Sequence, residues 1–186
     1  MRRSRGYLLA ALLLPCLVPR VHPQSALSLE YQVKAAYLLN FTRYVEWPPA
    51  RTPAADRPLT LCILGKDPFG DALDQALRDR TSQGHRIVLR RVQTARMTDG
   101  CHVVFLTDDT WSGEAHIVAT LTSRGILTVG NSDRFAKSGG VIGFIISNET
   151  VRFVINLHAR DEAGLRISSR MLSLATTLYS TEGPRF

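Results

Sequence analysis

The stretch KAAYLLNFTRYVEWP, residues 34–48, combines an apolar helical stripe, several aromatic side chains and a Trp-Pro stop. Ser28 is of a residue type that caps helices. Pro48 and Pro49 end the pattern, because the residue before a proline is pushed out of the α region. These signals predict a helix from Ser28 to about Trp47. Its predicted inner stripe consists of Leu29, Val33, Ala36, Tyr37, Phe41, Tyr44 and Val45.

The aromatic residues of this helix are candidate partner-binding residues. Tyr37, Phe41, Tyr44 and Trp47 cover more of the circumference than the roughly 100° that one stripe buries. Some of them would then lie at an interface, where Tyr and Trp often anchor a partner. The alternative is that the helix is buried on both sides within its own domain, and the sequence leaves both possibilities open.

The segment ahead of the helix predicts export. Arginines within residues 2–5 precede an almost wholly apolar run over residues 7–18, which is the order of a secretory signal. The run is shorter than the roughly 20 apolar residues of a membrane span. We therefore expect a signal peptide over residues 1–26, cleaved between residues 24 and 28, and an exported, soluble domain over residues 29–181 with no direct membrane insertion. An uncleaved anchor or a lipoprotein is the alternative.

The net charge argues against a nucleic-acid partner. The whole chain carries a formal charge of +7 from 23 basic and 16 acidic residues. Four of the basic residues and none of the acidic ones lie in the predicted signal, so the mature chain would carry 19 basic and 16 acidic residues. This mild excess lacks the strong basic patch of a nucleic-acid-binding domain.

Two cysteines, Cys62 and Cys101, lie in the predicted mature domain. In an oxidising compartment an even pair usually forms a disulfide. A structural zinc site needs four ligands, and only His85 and His102 are near in sequence. A nucleophilic cysteine would need a base and an electropositive pocket, which His102 beside Cys101 does not supply. We therefore predict a disulfide between the two cysteines and no metal site.

Strand and helix patterns alternate along the rest of the chain. Strands are predicted over residues 59–64, 85–92, 102–107 and 126–129, helices over 69–80 and 112–124, and a hairpin over 141–147 and 151–157 followed by a helix over 163–179. This order predicts a single α/β domain with a mixed sheet flanked by helices, a C-terminal β-hairpin and a long final helix.

Candidate ligand-binding residues lie where predicted strands end. Gly65 and Lys66 open a strand-to-helix turn with the GxxxxG spacing of a phosphate loop, but Gly70 is not followed by Lys-Ser/Thr, so a tight turn is the alternative. Asp108 follows an apolar strand, at the edge where α/β sheets often bind ligands, although capping would also explain it. No nucleophile is paired with a base, so we expect no catalytic residues, no enzyme activity and no cofactor.

Two arginines of the predicted final helix, Arg166 and Arg170, complete the set of candidate residues. Such a pair usually forms a solvated helix face, and contact with an acidic partner surface is the alternative. We treat both as candidate partner-binding residues.

Several blocks in the same order resemble the YfiR family of bacterial periplasmic proteins. Besides residues 34–48, they are LCILGKDPFG at 61–70, GCHVVF at 100–105, GVIGF at 140–144, VRFVINL at 151–157 and LRISSRML at 165–172. The resemblance implies a periplasmic regulator that binds the periplasmic domain of an inner-membrane diguanylate cyclase and inhibits it. Cyclic di-GMP signalling and biofilm formation would then be lowered.

The resemblance also implies an assembly and a redox chemistry. Family members dimerise, so a homodimer is expected, and they depend on disulfides. Cys62 and Cys101 match one family pair, whereas the residues of a second, more C-terminal pair are missing from this chain. A periplasmic sensor that binds a small molecule near Gly65 and Asp108 is the alternative function.

Overall fold

A computed structural model describes the backbone of residues 23–111, 115–180 and 183–185. Residues 1–22 of the predicted signal peptide lie outside the described residues. The predicted cleavage region, residues 24–28, falls within the start of the first helix. No helix within the described ranges is both long and apolar enough to cross a membrane.

The helices and strands alternate as the sequence predicts. The helices are α1 (Pro23–Tyr44), α2 (Asp71–Leu77), α3 (Asp108–Trp111), α4 (Ala115–Ser123), α5 (Asp133–Lys137), α6 (Leu157–Glu162) and α7 (Ser169–Leu172), with a 3-10 turn at Ala95–Thr98. The strands are β1 (Val45–Glu46), β2 (Leu59–Leu64), β3 (Thr81–Ser82), β4 (His85–Val92), β5 (Val103–Leu106), β6 (Leu127–Gly130), β7 (Ile142–Ser147), β8 (Thr150–Asn156), β9 (Arg166–Ile167), β10 (Thr177–Ser180) and β11 (Gly183–Arg185).

Most strands belong to one mixed sheet, in the order β11-β10-β8-β7-β6-β5-β2-β4-β3. The central strands β4, β2, β5, β6 and β7 run parallel, whereas β3 on β4, β8 on β7 and β11 on β10 are antiparallel. Strands β1 and β9 form a separate short antiparallel pair. The predicted mixed α/β architecture is confirmed.

The central strands are buried because helices cover both faces of the sheet. Every residue of β2 and β5 is buried, which explains why these strands read as continuous apolar runs. Along β2 the side chains alternate between two clusters. Leu61 and Ile63 pack with α1 and α2, and Cys62 and Leu64 pack with α4 and α5.

The predicted hairpin is confirmed with a two-residue turn. Ser147 pairs with Thr150, and the intervening Asn148 and Glu149 have φ angles of 48° and 57°. Two positive φ angles are the mark of the type I′ turn, whose twist matches that of the flanking strands.

The long final helix predicted over residues 163–179 is wrong. Gly164 has a φ of 64° and ends α6 in the left-handed conformation. The following residues pair with distant strands instead, since Ile167 lies opposite Val45 in β1 and β10 runs parallel to β8. Ser168 caps the four-residue helix α7 by accepting a hydrogen bond from the Met171 amide. Arg166 and Arg170 therefore lie on different elements.

The first helix differs from its prediction at both ends and in its buried face. It begins at Pro23, so Ser28 lies inside it, and it ends at Tyr44 because the next residues pair with β9. The predicted stripe is shifted along the helix: Leu29, Val33 and Ala36 are exposed. The buried positions of the helix are Lys34, Ala35, Leu38, Leu39, Phe41 and Thr42, and Val45 is buried in β1.

Candidate functional site

The order of the strands places a topological switch point between β2 and β5. After β2 the chain crosses to β4 on one side, and after β5 it crosses to β6 on the other side. The loops that leave the two strands therefore diverge at the carboxyl edge of the sheet. In open α/β sheets this is where ligands usually bind.

A cavity of about 260 Å³ lies at this edge. It is lined by Tyr31 of α1, Lys66 and Pro68 after β2, Phe105, Thr107, Asp108 and Asp109 at the end of β5, and Asn131 after β6. Two of the three predicted ligand-binding residues, Lys66 and Asp108, thus lie at one cavity. Whether they bind a ligand stays a prediction.

Gly65, the third predicted ligand-binding residue, acts in the packing of the strand ends. Its φ is 103°, and a Cβ at this position would overlap the hydroxyl groups of Thr107 and Thr110. Only glycine allows both this conformation and this close approach. The tight-turn alternative therefore accounts for Gly65, which holds the end of β2 against the end of β5.

Hydrogen bonds hold the acidic wall of the cavity in place. The Trp111 indole N–H donates to Oδ1 of Asp108 at 3.2 Å, and the Asn131 amide donates to Oδ2 at 3.4 Å. The Thr107 hydroxyl donates to Asp109. On the opposite side, burial and then the negative charges of Glu30 and Asp108 raise the pKa of Tyr31 above its ordinary value.

A buried lysine lies directly behind the cavity. Lys34 is 2% exposed, and its ammonium group donates to the carboxylate of Glu30 and to Oδ1 of Asn131. The same ammonium group lies 4.7 Å from the centre of the Tyr31 ring, a cation–π contact. Lysine is almost never fully buried unless it is paired.

Lys34, Tyr31 and Asn131 were not among the residues predicted for a ligand site. A signal for Lys34 was nevertheless present, because it lies on the same helical face as Leu38, with Glu30 one turn before it. A charged residue at such a position indicates a buried pair. Nothing local in the sequence marks Asn131, which reaches Lys34 only through the packing of α1 on the sheet.

An apolar groove lies beside the cavity, between α1 and the β7–β8 hairpin. Leu29, Val33 and Ile146 are 61%, 37% and 56% exposed, although all three are large apolar residues. They line a groove of about 380 Å³ whose other lining residues are Glu30, Glu149, Thr150 and Val151. Clustered exposed apolar side chains commonly mark a binding surface.

The structure separates the four aromatic residues that the sequence proposed for partner binding. Phe41 and Trp47 are buried, at 2% and 7% exposure, so the alternative of burial in the domain holds for them. The Phe41 ring packs 5.2 Å from the ring of Phe153, and the Trp47 indole N–H donates to the carbonyl of His102 at 3.0 Å.

The other proposed partner-binding residues keep accessible surface. Tyr37 and Tyr44 are half-buried, and the Tyr37 hydroxyl donates to the carbonyl of Val151 in the groove at 3.4 Å. Arg170 lies over the Tyr44 ring at 6.0 Å. The side chain of Arg166 is 86% exposed, 3.8 Å from the carboxylate of Glu46. Their role in binding stays a prediction.

The disulfide predicted between Cys62 and Cys101 is present, and both cysteines are fully buried with Cα atoms 6.0 Å apart. The adjacent His102 accepts a hydrogen bond at Nδ1 from the Thr60 amide at 3.0 Å. Burial, reinforced by the charges of Arg51 and His85, lowers the pKa of His102 to about 4. Within the described ranges, no group of three or more His, Cys, Asp or Glu side chains could hold a metal ion.

The disulfide, the polar cavity and the apolar groove belong to one α/β domain. Residues 31–176 match the family described as YfiR/HmsC-like, and the chain belongs to this family. The family is periplasmic, generally regulatory rather than catalytic, and acts in diguanylate cyclase signalling.

Two solved structures are similar in fold. The ABC domain in complex with L-Trp from Streptococcus pneumonia has 15% identity and a TM-score of 0.52. A conserved domain protein from Vibrio cholerae O1 biovar El Tor strain N16961 has 9% identity and a TM-score of 0.55. Each match covers 80% of this chain, and the chain spans about 60% of the length of either structure. At these identities the likeness concerns the fold alone.

Proposed function

We propose that this protein is a non-catalytic periplasmic regulator that binds the periplasmic domain of an inner-membrane diguanylate cyclase and holds the enzyme inactive. Its effect would be to lower cyclic di-GMP signalling and biofilm formation. Membership of the YfiR/HmsC-like family supports a role in diguanylate cyclase signalling. The observation that supports direct binding of the cyclase is the apolar groove between α1 and the β7–β8 hairpin.

The groove has the composition of a protein contact. Leu29 and Ile146 each leave more than half of their surface exposed, and burying such a side chain contributes roughly 1.5–3 kcal/mol. Acidic Glu149 lies at the rim of the groove, in the tight turn of the hairpin. Tyr37 extends the surface, because its hydroxyl reaches Val151 in the groove. Tyr44 and Arg170 form a second accessible contact further along α1.

Affinity measurement with matched variants tests the proposal. The mature protein is immobilised, and binding of the purified periplasmic domain of the cyclase encoded nearest to it is measured without reductant. We expect the double variant Leu29→Ser/Ile146→Ser to weaken binding at least tenfold and to relieve cyclase inhibition in membranes. The control is Leu174→Ser, since Leu174 is 59% exposed but does not line the groove. Absence of binding by the unaltered protein would overturn the proposal.

The proposed assembly is a homodimer, as in other members of the family. Sedimentation equilibrium of the mature protein, with and without the groove substitutions, measures it directly. A monomer at all concentrations would refute the dimer without affecting the proposed binding of the cyclase.

A second candidate function, a periplasmic sensor of a small molecule, is favoured by the cavity at the switch point. Lys66 and Asp108 lie at one cavity, on the sheet edge where α/β folds bind ligands. One structure of similar fold was solved in complex with L-Trp, so this fold accommodates a small ligand in that protein. Tyr31 lines the cavity and Glu30 the groove, so α1 connects the two sites. Thermal unfolding with a metabolite panel tests this function, and failure of every compound to stabilise the protein would reject it.

A further inference from the structure

We propose that the cavity at the carboxyl ends of β2, β5 and β6 binds a small zwitterion of the amino-acid class, with one ammonium group and one carboxylate. The inference rests on the proposed sensor function and names the chemistry of its ligand. It follows from the unpaired charges of the cavity, from the orientation of Asn131, and from the size and apolar wall of the cavity.

The cavity presents one unpaired positive group, that of Lys66, and two exposed carboxylates, those of Asp108 and Asp109. Lys66 is exposed and has no hydrogen bond or ion pair within the part of the chain that the structure describes. Asp108 is also exposed, and its described donors, Trp111 and Asn131, are both uncharged. A ligand carboxylate would pair with Lys66, and a ligand ammonium group would pair with Asp108. Charge-assisted hydrogen bonds of this kind are about twice as strong as neutral ones.

Lys34 fixes the orientation of the Asn131 amide. Because Oδ1 of Asn131 accepts a hydrogen bond from Lys34, its Nδ2 faces Asp108 and the Tyr31 hydroxyl, each at 3.4 Å. The ammonium group of Lys34 is neutralised by Glu30 and is not available to a ligand. Lys34 is therefore a positioning residue, which holds Asn131 so that Asp108 is kept at the cavity wall.

The size and remaining walls of the cavity limit the ligand. A volume of about 260 Å³ equals the liquid volume of roughly nine water molecules. Pro68, Phe105 and the Tyr31 ring provide an apolar wall, and Tyr31 is braced edge-on by Phe69 at 5.1 Å. An amino acid with an apolar side chain would pack against this wall and pair its two charges with Lys66 and Asp108.

Single-charge ligands match the cavity less well. A simple carboxylate would pair with Lys66 but would face the carboxylates of Asp108 and Asp109. A simple amine would pair with Asp108 but would face the ammonium group of Lys66. Only a ligand that carries both charges meets an opposite charge at each end.

Isothermal titration and thermal unfolding of the mature protein test the proposal. The probes are the twenty standard amino acids, their N-acetylated and C-amidated forms, dicarboxylates and neutral sugars. We expect at least one apolar amino acid to bind with a Kd below about 1 mM, and each capped form to bind at least tenfold more weakly. If a sugar or a dicarboxylate binds instead, the sensor function stands and the zwitterion assignment is wrong.

Variants locate the binding in the cavity. Lys66→Gln and Asp108→Asn should each weaken binding of the amino acid at least tenfold. The control substitutions Lys137→Gln and Asp56→Asn remove the same charges outside the cavity and should leave binding unchanged. Binding that is insensitive to Lys66 and Asp108 would overturn the proposal, and so would a panel in which no amino acid binds. Cyclase binding is measured separately, so neither result bears on the proposed regulation of the cyclase.

Discussion

The indole N–H of Trp47 donates a hydrogen bond to the carbonyl oxygen of His102 at 3.0 Å, and the two rings meet edge to face. This contact joins the end of the stretch over residues 34–48 to the strand that follows Cys101. Trp47 therefore stabilises the domain as a buried residue of its core.

Replacing Trp47 should impair stability before it impairs binding. In Trp47→Phe the buried carbonyl of His102 keeps the Leu127 amide as a donor but loses the indole N–H, and one such hydrogen bond contributes about 0.5–1.5 kcal/mol. Urea unfolding followed by circular dichroism measures this change. Leu174→Ala, at a residue that is 59% exposed, is the control and should change stability by less than about 0.5 kcal/mol. Lost cyclase binding by Trp47→Phe with unchanged stability would contradict this structural role.

The disulfide should resist reduction in the folded protein. Cys62 and Cys101 are both fully buried, so a thiol reagent reaches them only after unfolding. Alkylation and mass spectrometry should detect free cysteines after reductant in urea, and far fewer after reductant alone. The double variant Cys62→Ala/Cys101→Ala should lose roughly 4 kcal/mol, the chain-entropy value for this loop. Rapid reduction without urea would show that the bond is accessible.

Stability should fall as the pH falls from about 6.5 to about 4, because of His102. Its pKa is lowered to about 4 in the folded state by burial and then by Arg51 and His85, against an ordinary value of 6.5. Within this window the unfolded state binds a proton that the folded state does not, so acid favours unfolding. Above pH 6.5 the full stability is retained.

His102→Asn tests this pH dependence. Asparagine keeps an acceptor for the Thr60 amide but does not titrate. Urea midpoints measured from pH 4.5 to 8 should decline less steeply with acid in the variant than in the unaltered protein. Identical slopes would assign the acid sensitivity to other groups.

Lys34→Met should destabilise the protein by about 1–3 kcal/mol, because it leaves the carbonyl of Asn131 without its buried donor and Glu30 without its partner. Adding Glu30→Gln should restore part of the loss, since the remaining charge is then removed. Lys137→Met is a matched control, because Lys137 also pairs with an acid four residues away, Asp133, but on the surface. Equal effects of the two lysine substitutions in urea unfolding would contradict a special role for the buried pair.

Gly65→Ala should be among the most destabilising single methyl additions, at roughly 2–5 kcal/mol. The left-handed backbone contributes about 1–2 kcal/mol and overpacking against Thr107 and Thr110 about 1–3 kcal/mol. Gly139→Ala separates the two effects, since Gly139 also has a positive φ, 100°, but open space around it. Thermal unfolding should show the smaller cost for Gly139→Ala, and the reverse order would reject the overlap at Gly65.

The core strands and the disulfide could be predicted because their signals are local. Residues 59–64 and 85–92 have the strand limits predicted for them, since an apolar run or alternation between turn signals determines a strand over its own length. The pairing of Cys62 with Cys101 followed from their being the two cysteines of the predicted exported domain. At the candidate site, Lys66 and Asp108 could be named because both directly follow apolar strands.

The first helix was predicted with both ends misplaced and with only part of its buried face correct, since Phe41 is buried but Leu29 and Val33 are exposed. Its sequence has apolar residues around most of its circumference, so periodicity alone did not determine which side faces the sheet. The packing of Phe41 against the hairpin resolves this choice, and it leaves Leu29 and Val33 exposed in the groove.

The sequence by itself determined the alternating α/β pattern and the hairpin, since these depend on residues close together in the chain, and its ordered blocks indicated the family. Only the tertiary structure decided that residues 163–179 do not form one helix, because pairing with β1 and β8 outweighs the helical pattern. It also decided that Trp47 is buried and that Lys34 reaches Asn131, 97 residues away. The physical reason is the same in each case: a hydrogen-bond partner that is distant in sequence is supplied only when the sheet assembles.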